Sequence, residues 1–167
     1  MSPAPGGALG ALEASGLAQA MRQWLWLYPT VEVVHLVGIG LLFGSIAVLD
    51  LRLLGVSRRI PVGALAAHVL PWTAGSFLLI VPSGLLMFIA HASEFIVSEV
   101  FLLKMLLIVA AWVNAALFHT ITFRTADVWD SEEMRKLRPP PSARLAGALS
   151  LVLWIAVIAC GRLLAYT

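Results

Sequence analysis

Residues Val31–Arg59 read VEVVHLVGIGLLFGSIAVLDLRLLGVSRR. Leu36 to Leu49 is an unbroken uncharged run, with Glu32 and His35 just before it and Asp50 and Arg52 just after it. The apolar stretch around it, about 30–54, is long enough as a helix to cross the roughly 30 Å hydrocarbon core of a bilayer. Gly40-x-x-x-Gly44 in its middle is the small-residue pattern that lets helices approach closely in membranes. Packing within the chain is the expected use of these glycines. One span with ionisable groups at both ends thus poses the question of what those groups meet.

The rest of the chain has the same character. Of 167 residues, 60% are hydrophobic and 12% charged, with mean hydropathy +0.94. Soluble domains run to about 45–50% apolar and about 25% charged. Three more apolar runs follow, at about 62–90, 97–123 and 143–166. The expected fold is an all-α integral membrane four-helix bundle occupying 24–167. The connections are a basic turn, GVSRRIP, a small acidic turn, HASEFIVSE, and the longer RTADVWDSEEMRKLRPPPSAR. Pro139–Pro141 ends any helix arriving from the third span, and Ser142 is the expected cap of the fourth.

Residues 1–23 are rich in Gly, Ala and Pro and carry Arg22 as their only cation, unlike the positive start of a secretory signal. Leu9, Leu12, Leu17 and Met21 recur at loose helical spacing, which predicts an amphipathic helix lying in the interface. Trp24, Trp26 and Tyr28 then form an aromatic belt. Outside the spans, Arg52, Arg58, Arg59, Arg124, Arg135, Lys136, Arg138 and Arg144 fall at one end of the bundle, against Arg22 at the other. By the positive-inside rule both termini are expected to be extracytoplasmic, in a bacterial cytoplasmic membrane.

The net charge of +2 and the confinement of cations to loops exclude a nucleic-acid partner; the lipid bilayer is the expected one, with self-assembly or a membrane complex beside it. Cys160 is the one cysteine, so no internal disulfide and no cysteine metal cluster can form. No HExxH, GxSxG, P-loop or GxGxxG occurs.

Ionisable residues inside a membrane mark a site or an internal pair. Here they sort into two layers. Glu32, His35, His91, Lys104 and Arg162 lie near the end bearing the termini; Asp50, Arg52, His68 and His119 lie near the other, with the uncharged Asn114 about one and a half turns above His119. Two histidines per layer, from two spans each, is how a four-helix cytochrome holds haem b, with Lys104, Arg162 or Arg124 suited to the propionates. Copper is the alternative ligand, held by His35 with Glu32, and a bundle with no cofactor is the third reading. Glu32-x-x-His35 puts carboxylate and imidazole on one helix face, so Glu32 is expected to orient His35. Lys104, Arg162 and Glu32 are expected to neutralise one another or to snorkel to the headgroups. Asp50 is expected to pair with Arg124, His119 or His68.

The stretches YPTVEVVHLVGIGLLFGSIAVLDLRLLG, LPWTAGSFLLIVPSGLLMF, FLLKMLLIVAAWVNAALFH and ARLAGALSLVLWIAVIACGRLLAY together resemble a bacterial family of four-span membrane proteins of unknown function. E-x-x-H and D-L-R-L-L-G are the most specific parts. The resemblance implies a four-helix inner-membrane protein and no activity; a fainter similarity to copper-resistance membrane domains implies copper. Carried over by motif, Glu32, His35, Asp50, Arg52, Lys104, Asn114 and Arg162 are the positions of interest.

Overall fold

The structure is a computed structural model and describes residues 7–132 and 138–166. Two of the loop cations, Arg135 and Lys136, lie outside the described residues. Among those described, every regular element is helical. Four helices are long and apolar enough to cross a membrane, as composition predicts: α3 (Leu27–Leu53), α4 (Val62–Ala90), a third span over Glu99–Thr125, and α8 (Pro141–Leu163). Their most apolar windows are between 6% and 22% buried, so most of their surface is left for lipid. The protein is a multi-pass membrane protein with a helical-bundle fold.

Local chemistry sets the boundaries. α3 stops where Gly55 takes φ +102°, a left-handed conformation that costs glycine nothing. α8 begins at Pro141 with Pro140 as its cap, so Ser142 lies inside the helix rather than before it. A proline in the first turn loses no hydrogen bond, because its missing N–H has no partner there anyway. The acidic turn is itself a short helix, α5 (Ala92–Val97), and Ser98 caps the third span by accepting from Phe101 N–H. That span is α6 (Glu99–Leu117), a π-turn at Phe118–Thr122 and a 3₁₀ turn at Phe123–Thr125; α7 (Ala126–Trp129) follows.

Before the bundle the chain forms two short helices, α1 (Ala8–Glu13) and α2 (Gly16–Gln23), instead of one. Ser15 breaks them apart by capping α2, accepting from Ala18 N–H. They fold over the end of the bundle rather than lying free. Met21 is buried with Val31 and Ala90. Arg22 donates to Ala90 O at 2.8 Å and to Glu13 O at 2.6 Å, satisfying a terminal carbonyl of α4. The Glu13 carboxylate accepts from Ser93 N–H and Oγ–H at 2.7 and 2.6 Å. Those two bonds hold its pKa below the ordinary glutamate value.

The spans pack in the order α4, α3, α8, α6. α3 meets α4 at Gly38, where an added Cβ would lie 2.7 Å from Ile80 Cγ1. α8 meets α3 at Gly147, where an added Cβ would lie 3.0 Å from the Asp50 carbonyl oxygen. Gly40 and Gly44, expected to serve such contacts, have open space around them. α4 and α6 are not packed closely; Phe77 and Trp112 bridge them, with ring centroids 5.4 Å apart.

Candidate functional site

At the loop end, Arg52 is buried and fully engaged. Its Nε donates to Ile60 O at 2.6 Å, and its Nη2 donates to Asp130 Oδ1 at 2.7 Å and to Arg58 O at 3.3 Å. The other Asp130 oxygen accepts from Val62 N–H at 2.5 Å, at the start of α4. One loop carboxylate thus neutralises a span-one cation and caps span two, where the helix dipole favours a negative charge. The side chains of Arg52 and Asp130 are 3% and 7% exposed. Asp130 was not singled out in the sequence; one of four acids in a long polar loop carries no signal of its destination.

Two residues earlier on the same helix, Asp50 is 5% exposed. Ser150 of α8 is the polar side chain beside its carboxyl, and both line one cavity. Its Oδ2 is buried with no hydrogen-bond partner among the described residues. The expected pairing with Arg124, His119 or His68 is not what is found: Arg124 and His68 are exposed, and Asp50 forms no ion pair among the described residues.

Asp50 lines a cavity of about 130 Å³. The α4–α6 gap explains it: α3 and α8 form one side, and Phe77, Thr73, Trp112 and Asn114 the other. Ser45, Ser150 and Trp154 also line it, as do Phe118 and His119 of the π-turn. A π-turn within a helix often marks a functional site. Here it alters the helical repeat where two side chains reach the cavity.

The other layer is organised around His35. Ser83 has one hydroxyl proton, which it donates to the Leu79 carbonyl. His35 Nδ1 lies 2.9 Å from the same hydroxyl; with the Ser83 proton on a carbonyl, Nδ1–H donates to Ser83 and Nε2 keeps its lone pair. Glu32, expected to orient this ring, is exposed one turn away. The half-buried Lys104 of α6 lies with its Nζ 3.6 Å from where a Cβ on Gly161 would sit, and its charge reaches His35. Arg162 does not join it. Arg162 is exposed, donates to the Tyr166 hydroxyl and lies 4.8 Å from that ring's centroid, which is the snorkelling arrangement.

The four imidazoles occupy separate settings. His35 sits against α4; His91 stands at the α4–α5 junction, edge-on to Tyr28 at 5.8 Å; His68 is exposed. His119 directs Nδ1–H to Ala115 O of its own helix at 2.9 Å. A bis-imidazole haem needs two rings aimed at one iron. Pockets for drug-sized ligands run to about 300–1,000 Å³, and a haem is larger than most such ligands. The residues present do not fit that group. Among the described residues, no three His, Cys, Asp or Glu side chains converge as metal ligands would.

Fold and cavity define a polytopic membrane helical bundle with a buried acid beside a mainly apolar interhelical cavity. The chain belongs to a family of unknown function, DUF6644, whose model matches residues 12–167. No curated protein and no solved structure matches it.

Proposed function

We propose that the protein is a membrane-embedded binding protein for a small polar solute, with its site in the cavity around Asp50. The observation that carries this is the buried Asp50 Oδ2, which has no hydrogen-bond partner among the described residues. An unmet buried polar atom costs about 1–3 kcal/mol, and more when it is charged. A bound solute that donates to it offsets that cost. The chain sits in a bacterial cytoplasmic membrane with the loop end inside, in keeping with the gathering of arginines there. An uncharged, lipid-soluble carbodiimide tests the site. It should modify Asp50 in the detergent-solubilised protein, located by peptide mass spectrometry; failure to modify Asp50 overturns the reading.

Copper handling is a second reading, favoured by one observation: His35 meets Ser83 through Nδ1, which leaves Nε2 as the nitrogen to ligate. His35→Ala should then lower the copper bound per chain after loading and desalting. Equal copper in the two proteins removes it.

A further inference from the structure

The hydrogen bonds around the cavity restrict what it can hold. Ser150 stands beside Asp50, and Thr73 donates its hydroxyl proton to Val69 O at 3.1 Å. Asn114 Nδ2 donates to Ala146 O at 3.0 Å, which fixes the amide's orientation and leaves Oδ1 as an acceptor. His119 spends Nδ1–H on Ala115 O, which leaves Nε2 as an acceptor on the neutral ring. With the open Asp50 Oδ2, the wall offers three acceptors, Asp50 Oδ2, Asn114 Oδ1 and His119 Nε2.

Charge points the same way. Asp50 and His119 are the titratable groups among the lining residues; α4, α6 and α8 add none, and no lysine or arginine lines the cavity. With no lysine or arginine among the described lining residues, an ionised Asp50 has no permanent counter-charge in the wall, and a bound cation supplies one. Phe77, Trp112, Phe118 and Trp154 supply aromatic walls, and aromatic ring faces attract cations. One water needs roughly 10–15 Å³ of cavity space. A cavity of about 130 Å³ therefore admits a small organic cation or an ion with several waters.

We infer that this cavity binds a small monovalent cation of the ammonium or alkylammonium class, held by Asp50 and walled by the tryptophans. The inference rests on the binding-protein reading above and names its ligand class. An N–H cation donates directionally to separate acceptors and tolerates aromatic walls, whereas a bare alkali ion requires a shell of oxygens.

Methylammonium chloride titrated into the detergent-solubilised full chain, with tryptophan fluorescence as readout, tests it. Methylammonium should give a saturable change and should slow carbodiimide modification of Asp50. Sodium chloride at equal ionic strength should bind at least about tenfold more weakly, a difference of about 1.4 kcal/mol. Asp50→Asn should abolish the saturable change. The protection assay on the unaltered chain stands if that variant fails to fold. Sodium binding as tight as methylammonium overturns the ammonium class. Carbodiimide modification of Asp50 with no methylammonium binding or protection also overturns it, while leaving the binding-protein reading in place. Absence of any modification overturns both.

Discussion

Asp50 and Arg52 stand two residues apart on α3, both almost wholly buried, yet their surroundings are opposite. On a helix, residues two apart project about 200° from each other. Arg52 is turned towards the loops, where Asp130 and the Ile60 and Arg58 carbonyls engage it. Asp50 is turned inward, where it finds one serine and a cavity. A buried charge with every hydrogen bond met is part of the frame. A buried acid with an oxygen left open, beside an unfilled volume, is equipped to receive something. The pair shows that burial alone does not distinguish a structural charge from a site; the hydrogen-bond inventory does.

The largest expected effect falls on the Arg52 side. Asp130→Ala takes the carboxylate from Arg52 and uncaps α4, so stability should fall by about 3–5 kcal/mol, read from denaturant unfolding in detergent by circular dichroism. An unchanged midpoint would make the loop contact incidental. Gly147→Ala tests the neighbouring α8–α3 contact, where the new Cβ meets the Asp50 backbone. Overpacking there should cost about 1–3 kcal/mol in the same assay. Asp50→Asn should be nearly neutral, within about 1 kcal/mol, because it strands no cation and keeps a polar group for Ser150. A loss as large as that of Asp130→Ala would erase the contrast between the two residues.

The smallest effect belongs to the far end. Glu13 has a folded pKa below its ordinary value, so its contacts with Ser93 contribute fully above that ordinary value. The contribution falls away as pH drops through the folded pKa. Acidification should loosen α1 from α5, seen as a lower protection factor for the Ser93 amide, the observed exchange being referred to the intrinsic rate at each pH. In Glu13→Gln the acid-dependent part of that change should vanish; its persistence would assign the loosening to another group.

Much of the scaffold was legible because length and apolarity are read residue by residue. So was the layering of polar groups, which follows from helical rise. The contacts were not. Asp130 reaches Arg52 from 78 positions away, and Ser83 and Ser150 are ordinary serines until helix packing brings them opposite His35 and Asp50. Glu32 was the expected partner of His35 because it is close in sequence. The ring instead turned towards the interhelical side, where a hydroxyl was available away from lipid and water. The cavity had no sequence signal at all, since it depends on α4 and α6 standing apart.

The Asp130 contact also bears on how the protein is made. Arg52 and the first amide of α4 both depend on a carboxylate encoded 68 positions beyond Val62. At about 5–20 residues per second, a ribosome delivers that carboxylate roughly 3–14 s after Val62. During that interval the first hairpin can already be in the membrane, with its arginine held only by local carbonyls. The first two spans therefore insert as a provisional pair. They become fixed once the third has threaded across and returned its loop, which makes the order of synthesis a part of the assembly of the bundle.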